Sequence, residues 1–345
     1  MTIDPTAKLR SFLAEEDLRI ARLIEVLGAR YVETDRDDVV SRAIKRLHRS
    51  ACKRRFPKLP DGPDNRKNGV GVAVISESGA GKSTIIERVI RNYPAFAGFD
   101  VVGSGCPIIV VEAPSPCTLG QLALLIMEKL GYVPERDLRE NVAWKRARTL
   151  LKNKGIFFIW IDEAGNVLHQ KGADEIRKVA DTFRALMLRR DWPIQLILSG
   201  VSEVEDLLAI DRQLRRRVQC IAFPAIELPR DAELVEAAIA DYANAANLPV
   251  DLASGDAIVP RLCHAAVYQF GLVMEIIIEA IETCLLDGHD VLTIRDFANA
   301  YTGRTMQPVD QNPFLAAAWH TIDCSMIRKK LVEQSAPGQG KGRGR

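Results

Sequence analysis

Val70-Gly-Val-Ala-Val-Ile-Ser-Glu-Ser-Gly-Ala-Gly-Lys-Ser-Thr84 joins an apolar, β-branched run to a small-residue loop, and the loop to a helical pattern continued by Ile85, Ile86, Val89 and Ile90. Strand, glycine-bearing loop and helix N-terminus in that order form the P-loop layout. Backbone N–H groups of Ser78, Gly79, Ala80 and Gly81, and of the first helical turn through Thr84, can cradle phosphates. Lys82 is placed to reach the β- and γ-phosphates of a nucleotide, and Ser83 to offer its hydroxyl to Mg²⁺. One position departs from G-x-x-x-x-G-K-[ST]: the first glycine is Ser76. Serine takes a positive φ only at a cost, so the mouth of the loop is expected to differ slightly.

A P-loop needs an acidic partner at the end of a neighbouring strand. Ile156-Phe-Phe-Ile-Trp-Ile161 runs straight into Asp162-Glu163. There Asp162 can hold the Mg²⁺ shell, and Glu163 can orient the water that attacks the γ-phosphate. An apolar run at Pro107–Val111 lies between the two in sequence, as in NTPases whose P-loop and acidic strands are separated by a further strand. The run Ile194–Leu198 ends in Ser199-Gly200, where Ser199 reads either as a γ-phosphate sensor or as an ordinary strand-end cap. Arg215-Arg216-Arg217 precedes a last short strand, Gln219–Phe223. Adjacent arginines are costly to bury. They fit an arginine finger acting on a neighbour's nucleotide, or a surface patch or DNA contact.

Further out, residues 7–29 have helical periodicity. A second helix, from Asp37 to about Arg55, carries Arg42, Lys45, Arg46, Arg49, Lys53, Arg54 and Arg55. Such a run is either a solvated face or a phosphate-contacting surface. Residues 56–69 read as a linker. Thr118 caps a helix over 119–130, and further helices are expected near 137–153 and 173–190. Beyond Pro229 strand signals vanish, and helices near 230–247, 256–266, 270–286 and 293–302 form a lid. Residues 305–345 read as a tail that lacks the apolar periodicity to join a core after Trp319, its glycine-rich basic end disordered. The expected division is 1–56, 57–228, 229–304 and 305–345.

The 345 residues suffice for one large or two ordinary domains, and a net charge of +2 means that any nucleic-acid affinity comes from local patches. The seven cysteines are scattered, without C-x-x-C or a Cys/His cluster. That pattern predicts a reduced, cytoplasmic protein without disulfides or zinc. The longest apolar segment carries Glu275, Glu279 and Glu282, so it is a core helix rather than a membrane span.

Taken together, these motifs resemble an AAA+ P-loop ATPase: an α/β fold with a five-stranded parallel sheet and a C-terminal helical lid. More closely, residues 20–300 resemble the TniB/TnsC family of transposition ATPases. The resemblance rests on Tyr31-Val32, Ser78-Gly-Ala-Gly-Lys-Ser83, Val111-Glu-Ala-Pro-Ser-Pro-Cys-Thr118 and Leu130-Gly131. It continues through Ile161-Asp-Glu-Ala164, Ile194-Gln-Leu-Ile-Leu-Ser-Gly200 and Asp211-Arg-Gln-Leu-Arg-Arg-Arg-Val218. It implies ATP and Mg²⁺ as cofactors, with Lys82, Ser83, Asp162 and Glu163 at the nucleotide. Arg217, with Arg216 as alternative, would be the finger; Tyr31 and Val32 would border the base. Thr118 would lie near DNA, and Arg46, Arg49 and Lys53 are further DNA candidates. The implied partners are duplex DNA without sequence preference, further copies of the chain in a ring or helical filament, a transposase and a target-selection protein. The alternatives are another AAA+ machine, such as an origin-recognition-like loader or a secretion-associated ATPase, and a nucleotide-gated scaffold with little turnover. Three departures stand out: Ser76, Gly165 where many relatives have histidine, and no arginine in Gly271-Leu-Val-Met-Glu275, where many AAA+ lids carry a sensor. The last implies slow turnover.

Overall fold

The structure, a computed structural model, describes residues 5–101, 103–168, 172–251 and 257–328. In chain order the elements are α1 (Ala7–Arg10), α2 (Glu15–Ala29), α3 (Asp35–Ala51), β1 (Gly71–Ile75), α4 (Lys82–Arg91), β2 (Ile108–Glu112), α5 (Leu119–Lys129) and α6 (Glu140–Asn153). They continue with β3 (Phe158–Asp162), α7 (Ala173–Met187), β4 (Gln195–Gly200), α8 (Glu203–Ile210), α9 (Arg212–Arg215) and β5 (Val218–Ala222). The last are α10 (Ala232–Ala245), β6 (Val250–Asp251), α11 (Ile258–Ala265), α12 (Phe270–Leu286), β7 (Leu292–Thr293) and α13 (Ile294–Thr305). The expected single helix over 7–29 is two, and the apolar residues around the break, Leu9, Phe12 and Leu13, are exposed. Without a partner to bury them, periodicity alone does not hold the first turns together.

Two compact units divide the chain. One spans Glu33–Pro224; the other takes the chain up to Val32 and from Ala225 onward. The contact-defined division therefore falls at residues 32 and 224, where the sequence suggested 56 and 228. Helix α3 belongs with the P-loop because Val40, Ala43, Ile44 and Leu47 bury one of its faces.

The larger unit holds a sheet of order β2-β3-β4-β1-β5, parallel throughout. Strands β1 and β4 are buried along their whole length, as parallel strands covered on both faces should be. One further strand, β4, separates the P-loop strand from the acidic strand, as the sequence spacing suggested. Register aligns Ile75 with Gly200 and Glu112 with Asp162. The C-terminal ends of these strands thus share one edge of the sheet.

The second unit packs α2 and α10–α13 around Leu27, Val235, Ile239, Ile277, Phe297 and Tyr301. It also contains a short parallel pair, β6 and β7, too brief to give a strand signal. Residues 306–327 join this core rather than trailing from it. Phe314 is buried, its ring 5.7 Å from that of Phe297. The Asn312 amide donates to the Ala298 carbonyl at 2.8 Å, and Arg261 donates to the carbonyls of Pro313 and Ala316. The segment runs in short 3₁₀ turns, so its apolar anchors, Phe314, Cys324 and Ile327, have no helical or strand period. The expected disordered end lies outside the described residues. Among the described residues no helix is long and apolar enough to cross a membrane.

Candidate nucleotide site

β1 stops at Ile75, and the P-loop crosses to α4 through left-handed backbone at Gly79 and Gly81. Gly81 sits at φ 86° as the N-cap of α4, a conformation that would strain a side chain. Ser76 takes no positive φ. Its N–H donates to the Gly200 carbonyl at 3.2 Å, so serine is accommodated there without backbone strain. Its hydroxyl oxygen is buried without a hydrogen-bond partner.

Lys82 is only 5% exposed. Its ammonium donates to the carbonyls of Ser76 and Glu77, at 2.9 and 3.1 Å. Burial pushes its pKa down, opposed by the carboxylates of Glu163, Asp162 and Glu77. The charge is thus held inside the loop by backbone dipoles, a poor substitute for an anion. Ser83 and Asp162 line one cavity of about 680 Å³, which extends past Trp160 to Glu87, Glu112 and Glu128. A hydroxyl and a carboxylate opening on one cavity form the hard-oxygen donor set that suits Mg²⁺.

Asp162 is held in place from two sides. Its Oδ1 accepts from the Glu163 N–H at 3.0 Å and from the Ser199 hydroxyl at 2.6 Å. The buried Trp160 indole donates to the same hydroxyl at 2.7 Å. Glu163 follows in a left-handed conformation, φ 50° and ψ 43°. Gly200 packs against this turn: a Cβ there would come within 3.2 Å of the Gly165 nitrogen and 2.8 Å of Val204. Behind Gly165 lies Glu203, whose Oε2 is buried and unpartnered, 3.9 Å from where a Cβ at 165 would sit.

Asn166 connects this turn to the loop before α5. Its side-chain amide donates to the Ala113 carbonyl at 2.8 Å, and its backbone carbonyl accepts from the Cys117 N–H at 3.2 Å. Next in that loop is Thr118, exposed, capping α5 through Gln121. Sequence reasoning missed Trp160, Asn166 and Glu203 as parts of the site. An indole two residues before the acidic pair, on the same strand face, was the available signal for the first.

The other expected residues are dispersed. Arg216 is exposed and Arg217 half-buried, at the N-terminal end of β5, with the Arg217 carbonyl accepting from Gly71 at the start of β1. The length of β5, about 16 Å, separates them from the P-loop edge of the sheet. Arg46 donates to Gln219 on β5 and is partly engaged; Arg49 and Lys53 are exposed. Tyr31 and Val32 belong to the second unit, where Val32 packs against the core. That unit also brings donor atoms of Cys284, His289 and Asp296 within 4.8 Å, a grouping the sequence spacing did not suggest. Each is engaged structurally. Asp296 accepts from the Thr293 N–H at 2.7 Å and pairs with His289 at 2.9 Å. The Cys284 thiol, pushed up to about 11 by burial, faces backbone carbonyls.

A parallel sheet of this order, with the P-loop on its fourth strand and an acidic strand end two places away, is the AAA+ P-loop fold. Aeropyrum pernix ORC1, solved in complex with DNA, has the fold at a TM-score of 0.57 and 17% identity, over 84% of this chain and 74% of that one. The ADP form of A. pernix ORC2 gives 0.52 and 13%, over 83% and 75%. Cdc6p from Pyrobaculum aerophilum gives 0.53 and 14%, over 80% and 69%. No curated protein matches the chain. The profile of the bacterial TniB protein matches residues 40–228, and the chain belongs to that family.

Proposed function

We propose that this chain is an ATP-dependent AAA+ regulator of transposition that assembles on duplex DNA and marks it for a transposase. One observation carries the reading. On a TniB-family scaffold, Lys82, Ser83, Asp162 and Glu163 gather at the carboxyl edge of one parallel sheet. The arginines that could complete the site are held at its opposite edge.

Bound Mg²⁺ would neutralise charge on the β- and γ-phosphates. The chain's own residues do the rest. Lys82 exchanges two loop carbonyls for phosphate oxygens. Ser83 and Asp162 hold the cation, Asp162 kept oriented by Ser199 and by the Glu163 N–H. Glu163 aligns water and accepts its proton, so Glu163→Gln should bind ATP and hydrolyse it at least ~10²-fold more slowly. Arg216 or Arg217 enters from a neighbouring copy, which ties turnover to assembly. Thr118, Arg49 and Lys53, with Arg46 where Gln219 releases it, face DNA phosphates.

A salt titration of binding to unrelated duplexes tests this, with slowly hydrolysed ATP analogue, with ADP and without nucleotide. The expected result is binding only with the analogue, falling steeply with salt and indifferent to sequence. Equal binding in all three states would exclude nucleotide-gated assembly.

A further inference from the structure

The expected linker between α3 and β1 is a built structure. Lys67 N–H donates to the Lys53 carbonyl at 3.0 Å, Arg55 N–H donates to the Asn65 carbonyl at 3.0 Å, and Arg54 and Arg66 pair as an antiparallel bridge. Inside the loop thus closed, the buried side chain of Asn65 uses its whole amide. Its Oδ1 accepts from Phe56 N–H at 2.7 Å. Its Nδ2 lies within hydrogen-bond distance of the carbonyls of Phe56, Leu59 and Pro60, at 3.0, 3.2 and 2.9 Å. One buried side chain therefore fixes the loop backbone from within.

What the loop presents outward is unusual for a linker. Phe56 and Leu59 are 51% and 53% exposed. Arg55 and Lys58 flank them, both exposed. The loop continues a stripe on α3 and its end, where Arg42, Lys45, Arg49 and Lys53, all exposed, follow one another at spacings of three and four. From Arg42 to Lys53 the stripe runs about 16 Å, with a cation roughly every 5–6 Å. Such a repeat of one sign matches a phosphate strand, and a folded acidic protein surface mixes its charges more. An ordered apolar tip beyond a cationic track is the arrangement of a side chain that enters the minor groove and wedges a base step.

We propose that the Asn65-pinned loop docks on duplex DNA with Phe56, backed by Leu59, inserted at a base step of the minor groove. The α3 stripe tracks the adjacent phosphates. This rests on the DNA-binding reading above and adds to it a local deformation of the duplex by each protomer.

The test uses the full chain with ATP analogue and random duplexes carrying 2-aminopurine at successive positions. Wild-type binding should raise the probe's fluorescence by unstacking, several-fold at the contacted steps. Phe56→Ala should abolish that rise while leaving the salt slope of binding unchanged. Lys58→Gln and Arg55→Gln should each flatten that slope by about one. All three side chains are exposed, so thermal melting should show an unchanged fold. Duplex binding in which Phe56→Ala leaves the fluorescence rise intact would overturn the proposal and spare the DNA-binding reading. So would a basic track alone, in which the lysine and arginine variants weaken binding and no unstacking occurs. If the loop variants lose affinity for an oligo-glutamate peptide but not for DNA, the loop takes an acidic protein and the proposal falls. Failure of the wild type to bind any duplex would remove both readings.

Discussion

The Ser199 hydroxyl gives its only proton to Asp162. An indole N–H can donate but not accept, so Trp160 fills the acceptor side of the hydroxyl and leaves its hydrogen for the carboxylate. A hydroxyl committed in this way positions the acidic group and has no second proton for a γ-phosphate.

Ser199→Ala should therefore act through Mg²⁺. The Mg²⁺ concentration that half-saturates hydrolysis should rise, and the buried Trp160 N–H, left unpaired, should cost about 1–3 kcal/mol in a urea melt. Adding Trp160→Phe should recover much of the stability and none of the Mg²⁺ affinity. An unchanged Mg²⁺ dependence would remove Ser199 from this role.

Lys82→Met should abolish nucleotide binding and stabilise the protein without nucleotide. The Lys82 pKa is depressed in the fold by burial, so the unfolded chain binds the extra proton more readily. The sign follows: stability should rise with pH between the depressed folded value and the ordinary 10.5. The wild type minus Lys82→Met difference in urea stability, followed over that interval, should shrink as pH increases.

Arg216→Ala and Arg217→Ala should leave nucleotide affinity unchanged, and whichever is the finger should lower turnover in the assembly by ~10³-fold or more. Mixing that variant with Lys82→Ala should restore activity at shared interfaces, where one copy supplies the P-loop and the other the arginine. No recovery at any ratio assigns the cluster to the surface or to DNA.

In Gly165→His the first side-chain carbon has room. This Cβ would meet Glu203 at ordinary contact distances, and the backbone there is not left-handed. The imidazole should pair with the unsatisfied Glu203 oxygen and add roughly 1 kcal/mol of stability, read as a higher urea midpoint. Glu203→Gln in that background should cancel the gain.

Phe314→Ala should cost about 3–5 kcal/mol in the second unit, seen by hydrogen exchange in α12 and α13, with exchange across the five-stranded sheet unchanged. No sequence pattern warned of this. Phe314, Cys324 and Ile327 are anchors on a chain of 3₁₀ turns and loops, and only tertiary contact reveals them. The P-loop, the five strands and the acidic pair were legible because each rests on local pattern: a β-branched run, a glycine at a helix start, charge after an apolar strand. Trp160, Asn166 and Asn65 were not, because an indole, or an amide that satisfies distant backbone, has no period. Ser199 lay between: its position was readable, but the direction of its proton depended on a partner 39 residues away.

Glu163 keeps a left-handed backbone that suits glycine or asparagine, at a cost of about 1–2 kcal/mol for a longer side chain. The turn thus sets two selection pressures against each other at a single codon. A library sorted only for folding should enrich glycine and asparagine at this position, and one sorted for ATP turnover should hold glutamate at the expense of melting temperature.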